Sequence, residues 1–160
     1  GNADKSAKDV EDYDADNQAM IAWIKKQPWF AGSIGAMGFC IGGHLAFRAA
    51  LQPEIEATAC FYATDLHTHV IPNKPNQHSM DRLKDIKGEL LMIWGKQDNH
   101  IPEQGRKAVY EKMLDAKLAF TWHEFNGQHA FMRDEGERYD PELALLGYDL
   151  ALKLFQRKLA

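Results

Sequence analysis

Four short apolar runs, over 32–39, 55–62, 89–94 and 118–125, alternate with segments of helical periodicity. A chain with that rhythm has few ways to bury its apolar side chains. Asp14 opens a helix over about 14–27, with Met20, Ile21, Ile24 and the stem of Trp23 as its apolar stripe, and Pro28 stops it. Residues 41–51 combine helix formers with apolar side chains at 41, 45, 46, 49 and 50 and end before Pro53. A helix following Pro102 carries Val109, Tyr110, Met113 and Leu114. Asp140, Pro141 and Glu142 cap a final helix whose Leu143, Leu146, Leu150 and Leu154 are expected to face inward. Right-handed crossovers turn this order into an α/β fold, a parallel sheet of about four strands flanked by helices. Ligands of such sheets bind at the carboxyl ends of the strands, so the residues just after each apolar run carry the functional expectation.

Composition sets the scale and removes several classes of function. With 160 residues, 45% of them hydrophobic, the chain is expected to form one domain over 1–160 whose core needs no disulfide or structural metal. Residues 1–13 are polar and expected to be loose. The net charge is −4 and no basic run exceeds the Lys25, Lys26 pair, which argues against a nucleic-acid partner. The apolar stretch at 90–94 is far too short to cross a bilayer, and the first residues are polar and acidic rather than signal-like. Cys40 and Cys60 lack CxxC spacing, so they are expected to be two free thiols in a cytoplasmic chain, and thioredoxin-like redox chemistry is excluded.

The first apolar run leads into Gly38, Phe39, Cys40, Ile41, Gly42, Gly43, a strand-to-helix turn with the spacing of a nucleophile elbow and cysteine in the nucleophile position. The elbow holds its central residue at strained backbone angles, and side chains two positions before and after, at 38 and 42, are expected to collide with strand and helix. Cys40 then projects at a helix N-terminus, which favours a thiolate, and the Ile41 amide points to where an oxyanion develops. Asp98 follows the third run and His129 the fourth. The order nucleophile, acid, base is that of the α/β-hydrolase arrangement, with His129 taking the thiol proton and Asp98 orienting the imidazole. Taken singly, a buried thiol for packing, a turn aspartate and a satisfied loop histidine are alternatives for these three. His67, His69, Asp65 and His78 suggest a metal site only weakly, because a third ligand has no clear position. His44 and His123 read as structural and His100 as a loop residue; Cys60 lies mid-strand.

The segments GFCIGG at 38–43, WGKQDNHIP at 94–102 and HEFNGQHAFMRDEGERYDP at 123–141 resemble the dienelactone hydrolase (carboxymethylenebutenolidase) family over nearly the whole chain. The resemblance implies an α/β-hydrolase that opens a lactone without a cofactor or metal. It implies Cys40 as nucleophile, Asp98 as acid and His129 as base. It further implies that Arg133 holds the carboxylate of a small ester or lactone substrate, with a surface ion pair to Asp134 or Glu135 as the alternative, and, more loosely, that Tyr62 lies near the pocket or else packs in the core.

In family members, further strands precede the position of Gly1, so these 160 residues correspond to the C-terminal part of the domain. The strand at 32–39 is then expected at an exposed apolar edge, covered by residues 1–13 or, at lower cost, by a second copy in a homodimer. The part that lies ahead of Gly1 supplies a second oxyanion donor in the family. A catalytically weak fragment that persists as a dimeric or small-molecule-binding module is therefore the alternative to an active hydrolase.

Overall fold

Residues 8–68 and 77–160 are described by a computed structural model of the chain. The first helix, α1, spans Val10–Ile24, so it begins and ends earlier than expected. Of the segment expected to be loose, 10–13 is helical and 1–7 lies outside the described residues. The early start has a local cause and a tertiary one: the Asp12 carboxylate accepts the Asp9 N–H at 3.0 Å, and Val10 is buried. Asp14 is therefore not a cap; it sits inside α1, with Oδ1 2.8 Å from Arg48 Nε and Oδ2 2.9 Å from Arg82 Nη1.

The four apolar runs form β1 (Ile34–Phe39), β2 (Ile55–Phe61), β3 (Glu89–Gly95) and β4 (Phe120–Phe125). They make one sheet in the order β1-β2-β3-β4, and every neighbouring pair is parallel. Helix α2 (Ile41–Ala49) follows β1, α3 (Glu103–Asp115) follows β3, and α4 (Pro141–Leu159) follows β4. The fold is the expected α/β arrangement of a parallel sheet flanked by helices.

Side chains of a strand alternate between faces, and β1 shows where each layer sits. A Cβ at Gly35 would meet Phe155 and Leu159 of α4, whereas Ile34 packs with Ile21 of α1 and Ile55. The central strands are buried on both faces and read as continuous apolar runs, with Leu90, Leu91, Met92, Ile93 and Trp94 all in the core.

The helices keep part of the expected apolar stripes, with Leu154 buried and Leu143 and Leu150 packed on the core, and bury small residues beside them. In α4 the buried positions are Ala144, Gly147, Ala151 and Leu154, while Leu146 is 43% exposed. The helix lies so close to the sheet that a Cβ at Gly147 would come within 3.1 Å of Phe61 and 3.3 Å of Met132, so small residues line its contact. In α3 only Val109 and Met113 of the expected stripe are buried; Tyr110 lies against the rings of Phe120 and Trp122, and Leu114 is exposed. In α1, Ile21 is buried, but Met20 and Trp23 are exposed. Met20 lines an apolar groove of about 490 Å³ beside β1, whose Met37 is 46% exposed at the sheet edge.

Candidate active site

The turn between β1 and α2 presents Cys40 at φ 57° and ψ −124°, a conformation that costs a non-glycine residue on the order of 1–3 kcal/mol. Backbone hydrogen bonds hold it: the Cys40 N–H donates to the Phe61 carbonyl at 3.0 Å, and the Thr64 N–H to the Cys40 carbonyl at 3.2 Å. Gly38 is required, since a Cβ there would strike the Gly42 carbonyl. Gly42 itself corrects an expectation. A Cβ at that position meets nothing within 4 Å, because it faces the groove at the open edge; the crowded neighbour is Gly43, whose Cβ would come within 2.8 Å of the Phe61 carbonyl oxygen.

Two loops are fastened together to bring the acid and the base to the same place. Beyond β3 and β4, the Lys96 N–H donates to the Phe125 carbonyl at 2.7 Å and the Gln97 N–H to the Gly127 carbonyl at 3.0 Å. Asp98 and His129 emerge from this clasp, and both are buried. His129 Nδ1 lies 2.7 Å from Asp98 Oδ2, and His129 Nε2 lies 3.2 Å from Cys40 Sγ. The other Asp98 oxygen accepts the His100 N–H at 2.8 Å.

Electrostatics follow from that geometry. The His129 hydrogen bond lowers the pKa of the Cys40 thiol against the opposing effect of burial, and the Ile41 N–H and the Thr64 side chain add to the lowering. Burial opposes the charged form of His129 as well, but Asp98 and Cys40 outweigh it and raise its pKa to about 9. Both shifts run toward the thiolate and the imidazolium. Cys60 is the reverse case: buried with no such partner, its thiol is pushed far up. An arrangement of this kind can deliver a sulfur nucleophile and shuttle one proton.

The site opens into a cavity of about 720 Å³ whose wall includes Phe39, Ile41, Tyr62, Met132, Arg133 and Arg138. Tyr62 is both a core residue and a wall residue: it is 2% exposed, its ring centroid is 5.2 Å from those of His129 and Phe131, and burial raises its phenol pKa. Arg133 is exposed on that wall.

His100 and Arg138 also line the cavity, and sequence reasoning missed both. The His100 ring lies tilted at 58° to that of His129, with centroids 4.6 Å apart, although nothing in its loop distinguishes it, and Arg138 sits in an acidic surface segment that reads as solvated. His44 is buried and structural, and His123 is partly buried. Among the described residues no group of three or more His, Cys, Asp or Glu is placed to hold a metal; His69 lies outside them. No helix among those residues is long and apolar enough to cross a membrane.

The sequence profile of the dienelactone hydrolase family matches residues 3–159. An inferred carboxymethylenebutenolidase of Saccharomyces cerevisiae is 36% identical over 166 residues, covering 99% of this chain and 61% of the yeast protein. The carboxymethylenebutenolidase of Pseudomonas putida is 26% identical over 147 residues, covering 91% of this chain and 58% of that protein. An inferred dienelactone hydrolase from Klebsiella pneumoniae superposes with a TM-score of 0.77 at 23% identity, over 89% of this chain and 59% of that one, a likeness of fold. The chain spans about three fifths of the length of these relatives. On the profile match and the kinship with the yeast protein, the chain belongs to the dienelactone hydrolase family.

Proposed function

We propose that the chain carries the catalytic residues of a cysteine hydrolase acting on small carboxylate-bearing esters or lactones. The observation that carries this reading is the unbroken contact from Cys40 Sγ to His129 Nε2 at 3.2 Å and from His129 Nδ1 to Asp98 Oδ2 at 2.7 Å. In the first step the thiolate attacks the substrate carbonyl, and the charge that develops on its oxygen meets the Ile41 N–H. Collapse of this intermediate breaks the carbon–oxygen bond, and the imidazolium of His129 gives its proton to the departing alkoxide. A thioester remains on Cys40. His129, now neutral, takes a proton from water as it attacks the thioester and keeps that proton while the carbon–sulfur bond breaks and the thiolate departs, which restores the ion pair. Asp98 holds the imidazole tautomer throughout.

Arg133 and Arg138 support the choice of substrate class, because two guanidinium groups on the cavity wall favour an anionic ligand. The relatives named carboxymethylenebutenolidase point the same way, toward a lactone bearing a carboxylate. The test is a screen of lactones and activated esters with and without a carboxylate. Turnover lost in Cys40→Ser, with the preference for anionic esters reduced in Arg133→Ala, is the expected result. A Cys40 that alkylates readily while no ester or lactone is turned over would overturn the hydrolase reading.

A further inference from the structure

The loop that carries the acid and the strand that leads to the base share one buried cation, which the proposed hydrolytic steps do not use. Arg106, near the start of α3, is 3% exposed. Its Nη1 donates to the Ile101 carbonyl at 2.8 Å, and its Nη2 lies 3.3 Å from Glu124 Oε2 on β4. Ile101 is fully buried and ends the loop that leaves β3 with Asp98. Glu124 is the next-to-last residue of β4, the strand that runs on toward His129. Its other oxygen accepts the Trp122 Nε1–H at 3.1 Å, so the carboxylate is held from two sides. Position 106 lies on the buried face of α3 with Val109 and Met113, where an apolar side chain would pack. A cation is opposed there twice, by burial and by the positive end of the helix dipole. What the guanidinium gains is its two Nη contacts, one to the acid loop and one to the strand of the base.

We propose that Arg106 is a positioning residue for the reaction: it ties the loop of Asp98 to the strand that launches His129, and so holds the Asp98 carboxylate against the imidazole. The clasp already described fixes only the near end of the acid loop, through the N–H groups of Lys96 and Gln97. Asp98 follows these, with its own N–H on the Gly95 carbonyl at 3.3 Å and its Oδ1 turned back to the His100 N–H at 2.8 Å. The far end, 99–102, is seated by the Ile101 side chain in the core and by Arg106 on the Ile101 carbonyl. A planar fork holds two acceptors at a fixed separation, which a flexible ammonium does not. With that end released, Asp98 Oδ2 is free to drift from His129 Nδ1, now 2.7 Å away, and a hydrogen bond weakens steeply as its length and angle depart from the optimum. No proton moves through Arg106; it acts on the nucleophile only through the place of the Asp98 charge.

The inference rests on Cys40, His129 and Asp98 acting together, and the test separates the two. Iodoacetamide alkylation of Cys40 is followed against pH in the whole chain for wild type, Asp98→Asn, Arg106→Met and the double variant, with peptide mapping and with the fully buried Cys60 as the sign of unfolding. The charged and titratable groups around Sγ are His129 with Asp98 behind it, Tyr62, Asp65, His100, Arg133 and Arg138; around Arg106 they are Glu124 and the exposed Glu103 and Lys107. Arg106→Met is expected to alkylate about 5-fold more slowly than wild type at pH 7. In the Asp98→Asn background the same change should alter the rate by less than about twofold, because the charge it places is gone. Glu124→Gln should slow alkylation by about twofold, whereas the loss of a negative charge by itself would lower the thiol pKa and speed it. An Arg106→Met profile that superimposes on wild type, while Asp98→Asn is slowed, overturns the inference alone. An Asp98→Asn profile equal to wild type overturns the reading of the three residues instead. Equal slowing by Arg106→Met in both backgrounds, or a Glu124→Gln that is unchanged or faster, makes Arg106 act by its charge and overturns the positioning role. Should Cys60 become reactive in Arg106→Met, Glu124→Gln is judged by the same criterion.

Discussion

Replacing Asp98 by asparagine isolates the charge that the site depends on. Asp98 and His129 are 4% and 6% exposed and 2.7 Å apart, so little solvent screens them. The His129 pKa stands at about 9 against an ordinary 6.5, despite burial that works the other way. That displacement corresponds to about 3 kcal/mol of preference for the imidazolium, shared between Asp98 and Cys40. Asparagine keeps the shape and a hydrogen bond but removes the negative charge, so burial gains weight against Cys40 and the His129 pKa falls from about 9. Because the folded pKa lies above the unfolded one, this stabilisation is fully present below 6.5 and is lost as pH rises through about 9. Urea titrations should therefore show Asp98→Asn less stable than wild type by about 1–3 kcal/mol near pH 6, with the gap closing or reversing near pH 10. Cys40, deprived of its cationic partner, should alkylate at least about 10-fold more slowly at pH 7. An equal stability gap at both pH values together with unchanged alkylation would refute the electrostatic account of this pair.

Three further outcomes test the surrounding structure. Gly38→Ala drives a Cβ into the Gly42 backbone and should cost about 3 kcal/mol or more, while Gly42→Ala, which meets open space at the start of α2, should be neutral or stabilising by up to about 1 kcal/mol; thermal unfolding of the two variants should differ accordingly. Arg48→Met leaves Asp14 with Arg82 alone and is expected to cost about 3 kcal/mol in denaturant unfolding. The unpaired edge of β1 and the apolar groove beside it lead us to expect that the 160-residue chain by itself self-associates at micromolar concentration, in light scattering, and that Met37→Lys shifts it toward monomer.

The central strands were legible because parallel strands covered on both faces are apolar at every position, and 90–94 carries that mark without any tertiary information. The helices were less so. Periodicity weighs a leucine above a glycine, yet α4 turns Gly147 and Ala144 to the sheet and leaves Leu146 exposed, because distance of approach and not hydrophobicity decides that contact. Asp14 looked like a cap for the same kind of reason: the preference of aspartate for helix starts is local, whereas its pairing with Arg48 depends on a residue far along the chain.

The candidate site divides along the same line. Gly38 and Cys40 could be placed from sequence because the elbow is a local backbone problem, solved within a few residues by a glycine that no side chain can replace. What brings Asp98 and His129 to that elbow is the clasp between the two loops, made of backbone N–H and carbonyl groups that every sequence possesses and that therefore leave no mark in it. His100 and Arg138 escaped notice because each acquires its place only once that clasp has fixed the cavity wall. A residue type announces a role where the local chain already strains to serve it, as at Cys40; where partners meet from separate loops, as Asp98 and His129 do, the role has to be found in the hydrogen bonds.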